Sequence, residues 1–100
     1  MLKITVHNSN KTQTIQLEGK ITGPWVAEFD RTWHSLAPAL GSKKLQLDLR
    51  SVDFIDAKGT RLLHDIYRET RACFLTDSPL TQYFADVAMG KSQKDGEQGD

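Results

Sequence analysis

Cysteine is nearly missing from this sequence, and charge of one sign does not predominate. Cys73 is the only cysteine among 100 residues, so the chain has neither an internal disulfide nor the clustered cysteines of a zinc site. Lys and Arg together number 13, as do Asp and Glu, so no excess positive charge attracts nucleic acid or anionic lipid. We therefore predict no metal site and no nucleic-acid partner.

Long apolar runs and paired histidines are missing as well. No run approaches the roughly 18 apolar residues of a membrane-spanning helix, and no segment like a signal peptide follows Met1. His7, His34 and His64 are widely separated and show none of the spacings of a metal-dependent enzyme. The sequence therefore predicts a cytoplasmic protein with no cofactor, no catalytic site and no segment inserted directly in a membrane.

The length and the distribution of apolar residues predict one domain followed by a polar tail. A chain of 100 residues suits a single hydrophobic core. Residues 90–100 include no apolar side chain, and such a segment cannot bury enough surface to offset the entropy lost on ordering. We predict a folded domain at residues 2–89 and a disordered polar tail at residues 90–100.

Alternating apolar and polar residues, typical of half-buried strands, occur in the first half of the chain. Residues 2–7 and 14–18 alternate on either side of a turn-rich stretch, which indicates a hairpin. Residues 45–50 form a third predicted strand, and we expect residues 51–53 to form a turn after it. The apolar segment 72–75 is a predicted fourth strand, whose one cysteine we expect to be buried and unreactive.

Three other segments have the apolar spacing of an α-helix. The first begins at Pro24, because proline suits a first helical turn. We expect Trp25 and Trp33 to be buried in the core; an exposed one would instead be an anchor for a partner or a dimer. The second is capped by Asp56, because an aspartate side chain accepts hydrogen bonds from the free N–H groups of a first turn. In the third we expect one apolar stripe to be buried: Leu80, Tyr83, Phe84, Val87 and Ala88.

The predicted elements follow the order β-β-α-β-α-β-α. Strands that alternate with helices pair in parallel through right-handed crossovers, whereas an initial hairpin is antiparallel. The expected fold class is therefore α/β, a small sandwich with a mixed, mostly parallel four-stranded sheet and about three helices.

The segment at residues 47–59 resembles the signature of the STAS domain, the family that includes the bacterial anti-sigma-factor antagonists. In that signature the residue pair Asp-Leu is followed by the pair Ile-Asp and then by a glycine, and an amphipathic helix comes after them. Seven residues match at the family's spacing: Asp48, Leu49, Val52, Phe54, Ile55, Asp56 and Gly59. The resemblance implies a STAS-like sandwich over residues 2–89.

The resemblance also implies a regulatory protein-binding module rather than an enzyme. In the antagonists, a partner kinase phosphorylates a serine or threonine directly before the signature glycine. That position is Lys58 in this chain, with Ala57 before it, and lysine has no hydroxyl group to phosphorylate. The implied function is anti-sigma-factor-antagonist-like signalling in the regulation of transcription, without the usual phosphorylation switch. Thr60, the hydroxyl residue directly after the glycine, is an alternative phosphorylation site, although threonine is also common at the start of a helix.

The predicted partner-binding surface is the loop and the outer face of the helix that follows Asp56. Lys58, Arg61, Asp65 and Arg68 recur at steps of three or four residues and share one helical face. Arg61 and Asp65 can alternatively pair with each other within the helix. The residues that we assign to partner binding are Asp56, Ala57, Lys58, Gly59, Thr60, Arg61 and Arg68.

The resemblance leaves several partners open. An anti-sigma factor, a kinase-like protein, is the first. Solitary STAS domains also serve as soluble subunits of membrane lipid-transport ABC complexes, in which they dock on the ATPase. Some STAS domains bind a nucleotide or another small ligand, and a homodimer is a further alternative. The sequence itself does not discriminate among these partners.

Overall fold

The computed structural model describes residues 1–91 and contains seven elements in the predicted order. They are β1 (Leu2–Asn8), β2 (Thr12–Ile21), α1 (Pro24–Leu40), β3 (Lys44–Ile55), α2 (Ala57–Thr70), β4 (Cys73–Leu75) and α3 (Pro79–Ala88). Within this range no helix is both long enough and apolar enough to cross a membrane. Of the predicted tail, Gly90 and Lys91 donate backbone hydrogen bonds to carbonyls of α3, and residues 92–100 lie outside the described residues.

The four strands form one sheet in the order β1-β2-β3-β4. β1 and β2 are antiparallel, whereas β3 is parallel to both β2 and β4. α1 packs on β2, α2 packs on β3 and on α1, and α3 packs on β3 and on α2. α1 and α2 contact each other and therefore lie on the same side of the sheet, as is expected of right-handed crossovers from β2 to β3 and from β3 to β4. The predicted fold class and element order are confirmed.

Apolar side chains from the sheet and the helices meet in one core. The register pairs Ile4 with Leu17 and Ile15 with Leu47, so apolar positions of neighbouring strands share a face. Burying each such side chain contributes roughly 1.5–3 kcal/mol to the free energy of unfolding. The fully buried side chains of the core include Ile15, Leu17, Ile21, Phe29, Leu45, Leu47, Leu49, Leu63 and Ile66.

The turn that we expected at residues 51–53 is wrong, because β3 continues to Ile55. Gln16 pairs with Asp48 and Ile21 pairs with Ile55, and two register shifts between these points accommodate the extra residues of β3. Val52 is buried within this stretch. A bulged strand loses the strict alternation of apolar residues, which is why the sequence pattern resembled a turn.

The predicted burial is corrected in three further places. Cys73 is exposed, because its pairing with Gln46 places it on the face of the sheet opposite the core. Trp33 is buried as expected, but Trp25 is only partly buried. Leu80 and Tyr83 keep 48% and 51% of their surface exposed. Ala88 is buried as expected, and Thr81 and Ala85 are buried beside it. α3 thus turns a face of small side chains to the core, which permits a closer approach to its neighbours.

Candidate functional site

Asp56 joins the N-terminal ends of two helices. Its side chain accepts a hydrogen bond from the backbone N–H of Gly59 in the first turn of α2, at 2.8 Å, as predicted for a helix cap. Its second oxygen accepts one from Gly23, directly before α1, at 3.0 Å. The hydrogen bond from Gly23, followed by that from Gly59, lowers the pKa of Asp56 from its ordinary value. The ionised carboxylate therefore holds both helix starts at one end of the sheet.

Gly59 allows α2 to begin directly against the sheet. A Cβ atom at this position would lie 2.7 Å from the carbonyl oxygen of Ile21 and 2.8 Å from a methyl carbon of Ile55. Both distances are too short for any side chain, so only glycine fits the approach. The signature glycine thus has a packing role, and it determines where the neighbouring Lys58 is presented.

Lys58 and Ala57 are exposed in the first turn of α2, whereas Thr60 is half-buried. The hydroxyl of Thr60 donates a hydrogen bond to the carbonyl oxygen of Asp56, at 3.1 Å. Thr60 therefore takes part in the helix start, and the exposed charged group of this first turn is the ammonium of Lys58.

A depression of about 320 Å³ lies between the first turns of α1 and α2. Its lining combines apolar side chains with two basic and two acidic ones: Gly23, Val26, Ala27, Asp30, Lys58, Arg61, Leu62 and Asp65. A second depression of about 500 Å³ continues it along the same two helices, and its lining includes Arg68 and Glu69. The two share Asp30, Leu62 and Asp65. We refer to the two depressions together as the α1–α2 groove.

The structure brings together Lys58, Arg61 and Arg68 from the predicted site, because all three line the α1–α2 groove. Ala57 and Thr60 instead line a separate depression between α2 and α3, of about 350 Å³, which Arg61 also borders. Among residues 1–91, Arg61 and Asp65 form no ion pair with each other, although both are exposed. Lys58 and Arg61 therefore keep their charges unpaired among residues 1–91, although the carboxylates of Asp30 and Asp65 line the same depression. We call the part of the groove beside Lys58 and Arg61 its basic end.

The contribution of α1 to this groove was not predicted. His34 Nδ1 lies 2.9 Å from the carbonyl oxygen of Asp30 and 3.0 Å from its carboxylate. The hydrogen bond to that carbonyl, followed by the charge of the carboxylate, raises the pKa of His34. The contact between Asp30 and His34 could have been predicted, because the two residues are four positions apart in a predicted helix. Nothing in the sequence indicated that α1 would face α2 at this point.

Metal binding finds no support in the described part of the chain. Within residues 1–91, no three His, Cys, Asp or Glu side chains come together in a group that could hold a metal ion. The site is an exposed groove with a basic end, which is suited to contact with another molecule.

Solved structures share this fold. An anti-sigma factor antagonist from Mycobacterium paratuberculosis has a TM-score of 0.72 and 15% sequence identity, over 99% of this chain and 93% of that chain. An uncharacterized protein with a SpoIIAA-like fold from Shewanella loihica has a TM-score of 0.55 and 13% identity, over 98% of this chain and 92% of that chain. No protein-family model and no curated protein matches the sequence. The chain therefore has a STAS-like fold, as the resemblance of residues 47–59 implied.

Proposed function

We propose that this chain is a non-catalytic, cytoplasmic protein-binding module of the anti-sigma-factor-antagonist type. Its docking surface is the basic end of the α1–α2 groove. The observation that carries the proposal is the exposure of Lys58 and Arg61 on the first two turns of α2, beside apolar groove residues and without an ion pair among residues 1–91.

The helix start beneath these two side chains is held in place before any partner arrives. The hydrogen bonds of Asp56 connect it to the start of α1, and Gly59 packs closely against β2 and β3. A site on a rigid element loses less entropy on binding than a site on a loop. A partner that offers acidic side chains around an apolar contact would complement Lys58, Arg61 and the neighbouring Leu62.

Binding by this surface would not be switched by phosphorylation next to the glycine. Lys58 offers no hydroxyl, and its positive charge is opposite to that of a phosphate. Thr60, the nearest hydroxyl residue, already donates to the Asp56 carbonyl within the helix start. The module that we propose therefore binds constitutively, or is controlled by the supply of its partner.

The test uses purified kinase-like anti-sigma factors from the genome that encodes this chain, each titrated singly by calorimetry. The double variant Lys58→Glu with Arg61→Glu should weaken binding by about 10-fold to 100-fold, because each reversal opposes the partner's acidic groups. The matched control is Lys11→Glu with Lys44→Glu, which changes the net charge equally. Those two lysines are exposed and adjacent at the opposite end of β2 and β3, and the control should bind like the unmodified chain.

Two outcomes would contradict the proposal. Equal weakening in both double variants would show that general charge, and not this surface, directs binding. The absence of binding to every anti-sigma factor would reject the assignment of partner. In that case the ATPase subunits of lipid-transport complexes from the same genome are the next probes. Heat on titration with ATP or GTP, without any protein partner, would favour the ligand-binding alternative.

A further inference from the structure

Among residues 1–91, β1 has one edge that pairs with no other strand and carries little of the usual protection against pairing. Within this range it lies at the end of the sheet and pairs only with β2, over seven residues and without a register shift. It contains neither proline nor glycine, and Lys3 is its one residue with a permanent charge. An edge strand of this kind offers unpaired N–H and C=O groups to another strand.

The hydrogen bonds to β2 determine which backbone groups face the free edge. Lys20 donates to the carbonyl of Met1 at 3.0 Å, and Ser9 donates to the carbonyl of Thr12 at 2.8 Å. Residues of an antiparallel pair alternate between hydrogen-bonded and non-hydrogen-bonded positions. The odd-numbered residues of β1 therefore bond to β2. The outward-facing backbone groups belong to the even-numbered residues: Leu2, Ile4, Val6 and Asn8.

We propose that β1 pairs with β1 of a second copy of this chain, antiparallel, about a two-fold axis at Thr5. This register sets Ile4 opposite Val6 of the second copy, so outward-facing groups meet outward-facing groups. Leu2 then meets Asn8, and all seven residues of the strand are paired. An axis at Ile4 or at Val6 also aligns the backbone groups, but it leaves part of the strand without a partner.

In this register the side chains of β1 avoid charge repulsion, and the apolar side chains of Ile4 and Val6 lie opposite each other. Lys3 lies opposite His7 of the second copy, so no two residues of like permanent charge face each other, and its own neighbour on β2 is Glu18. The two-fold axis is perpendicular to the sheet, so the helices of both copies lie on the same side. Ile4 and Val6, half-buried in one copy, would form a continuous apolar row with their counterparts.

The first test places like charges at the two-fold axis. Thr5→Lys would bring two ammonium groups together, and it should raise the dissociation constant of the dimer at least about 10-fold. The matched control is Gln16→Lys, because Gln16 pairs with Thr5 on the adjacent strand and on the same face. The control adds the same charge one strand away from the interface and should dimerise like the unmodified chain.

Sedimentation velocity of the full chain over a range of concentrations gives the readout, and circular dichroism confirms that each variant is folded. An unmodified chain that stays monomeric at every concentration overturns the proposal. A dimer that persists unchanged in Thr5→Lys also overturns it, as does one equally weakened by both substitutions. Persistence of that dimer would direct attention to another surface, such as exposed Leu80 and Tyr83 on α3.

The second test uses a disulfide to determine the register of β1 against β1 of the second copy. In a Cys73→Ser background, Thr5→Cys would set two cysteines in a non-hydrogen-bonded pair with Cα atoms about 4.5 Å apart, within disulfide range. Mild oxidation should cross-link this variant. Lys3→Cys is the matched control, since its two cysteines would lie about 13 Å apart along the strands. Failure of Thr5→Cys to cross-link, or equal cross-linking of both variants, overturns the register.

Discussion

On the face of the sheet that the helices cover, Ile15, Leu17 and Leu47 are completely buried, whereas Thr14 and Gln46 on the opposite face keep part of their surface in water. The covered face gains its stability from the removal of apolar surface from water. The open face is connected by hydrogen bonds between strands, such as that from the Thr14 hydroxyl to the Gln46 side-chain oxygen at 3.0 Å. Such exposed bonds contribute much less, because water competes for the same groups.

This difference indicates which substitutions the chain tolerates. Changes on the covered face alter the core, whereas changes on the open face alter local pairing and surface charge. The basic end of the α1–α2 groove lies in the helical layer, so its position depends on the covered face. The variants below compare the two faces, from the largest expected effect to the smallest.

Leu47→Ala and Gln46→Ala compare the two faces at neighbouring positions of β3. Leu47 is fully buried, so its truncation leaves a cavity and should lower the free energy of unfolding by about 2–5 kcal/mol. Gln46→Ala removes one partly exposed hydrogen bond and should cost about 1 kcal/mol or less. Urea denaturation followed by circular dichroism measures both. Similar losses in the two variants would contradict the comparison.

Asp56→Ala tests whether a polar contact also matters where the helical layer meets the sheet. Removing the carboxylate leaves the N–H groups of Gly59 and Gly23 without their acceptor, so we expect a loss of about 1–2 kcal/mol. Asp56→Asn, which retains one acceptor oxygen, is the conservative variant and should recover part of that stability. Thermal denaturation at neutral pH provides the measurement. An Asp56→Ala variant as stable as the unmodified chain would show that burial alone holds α1 and α2.

Asp48→Asn tests a charge on the open face. The Asp48 carboxylate accepts hydrogen bonds from the backbone N–H and the side chain of Arg50, at 2.9–3.0 Å. The side-chain bonds from Arg50, despite the opposing effect of burial, lower the pKa of Asp48 below its ordinary value of 3.8. Because Arg50 is half-exposed, we expect the substitution to cost only about 1 kcal/mol at pH 7.

The pH dependence of the Asp48 effect follows from the direction of its pKa shift. A carboxyl group with a lowered pKa in the folded chain contributes its full stability above the unfolded value of 3.8. That contribution disappears as the pH falls through the lower folded pKa. Urea denaturation of the unmodified chain and of Asp48→Asn, from pH 7 into the acidic range, gives the free energy of unfolding of each. The difference between the two should shrink only when the pH falls below the pKa of Asp48 in the unfolded chain. A difference that stays constant into strong acid would contradict the ionic origin.

The start of one helix and part of the buried side of another could be predicted from the sequence. Asp56 was correctly identified as a helix cap, because an aspartate followed by an apolar helical pattern needs no tertiary information to be recognised. The buried side of α3 was predicted only in part, since its large and its small apolar residues both recur at helical spacing. Ala88 is buried as predicted, but packing also buries Ala85 and leaves Leu80 and Tyr83 largely exposed.

Only the part of the candidate site that lies on α2 could be predicted from the sequence. Lys58, Arg61 and Arg68 share a helical face through spacing, a local property of the sequence. That α1 supplies the opposite wall, including Asp30 and His34, depends on how α1 and α2 pack against each other on the sheet.

The sequence by itself determined the order of strands and helices, the cap at Asp56 and the lysine at position 58, because periodicity and residue chemistry act over a few neighbouring residues. Only the tertiary structure decided that β3 continues to Ile55, that Cys73 faces away from the core and that α1 and α2 border a common groove. Each of these depends on contacts between segments far apart in the chain. Such contacts are selected by the packing of the whole molecule and not by local pattern.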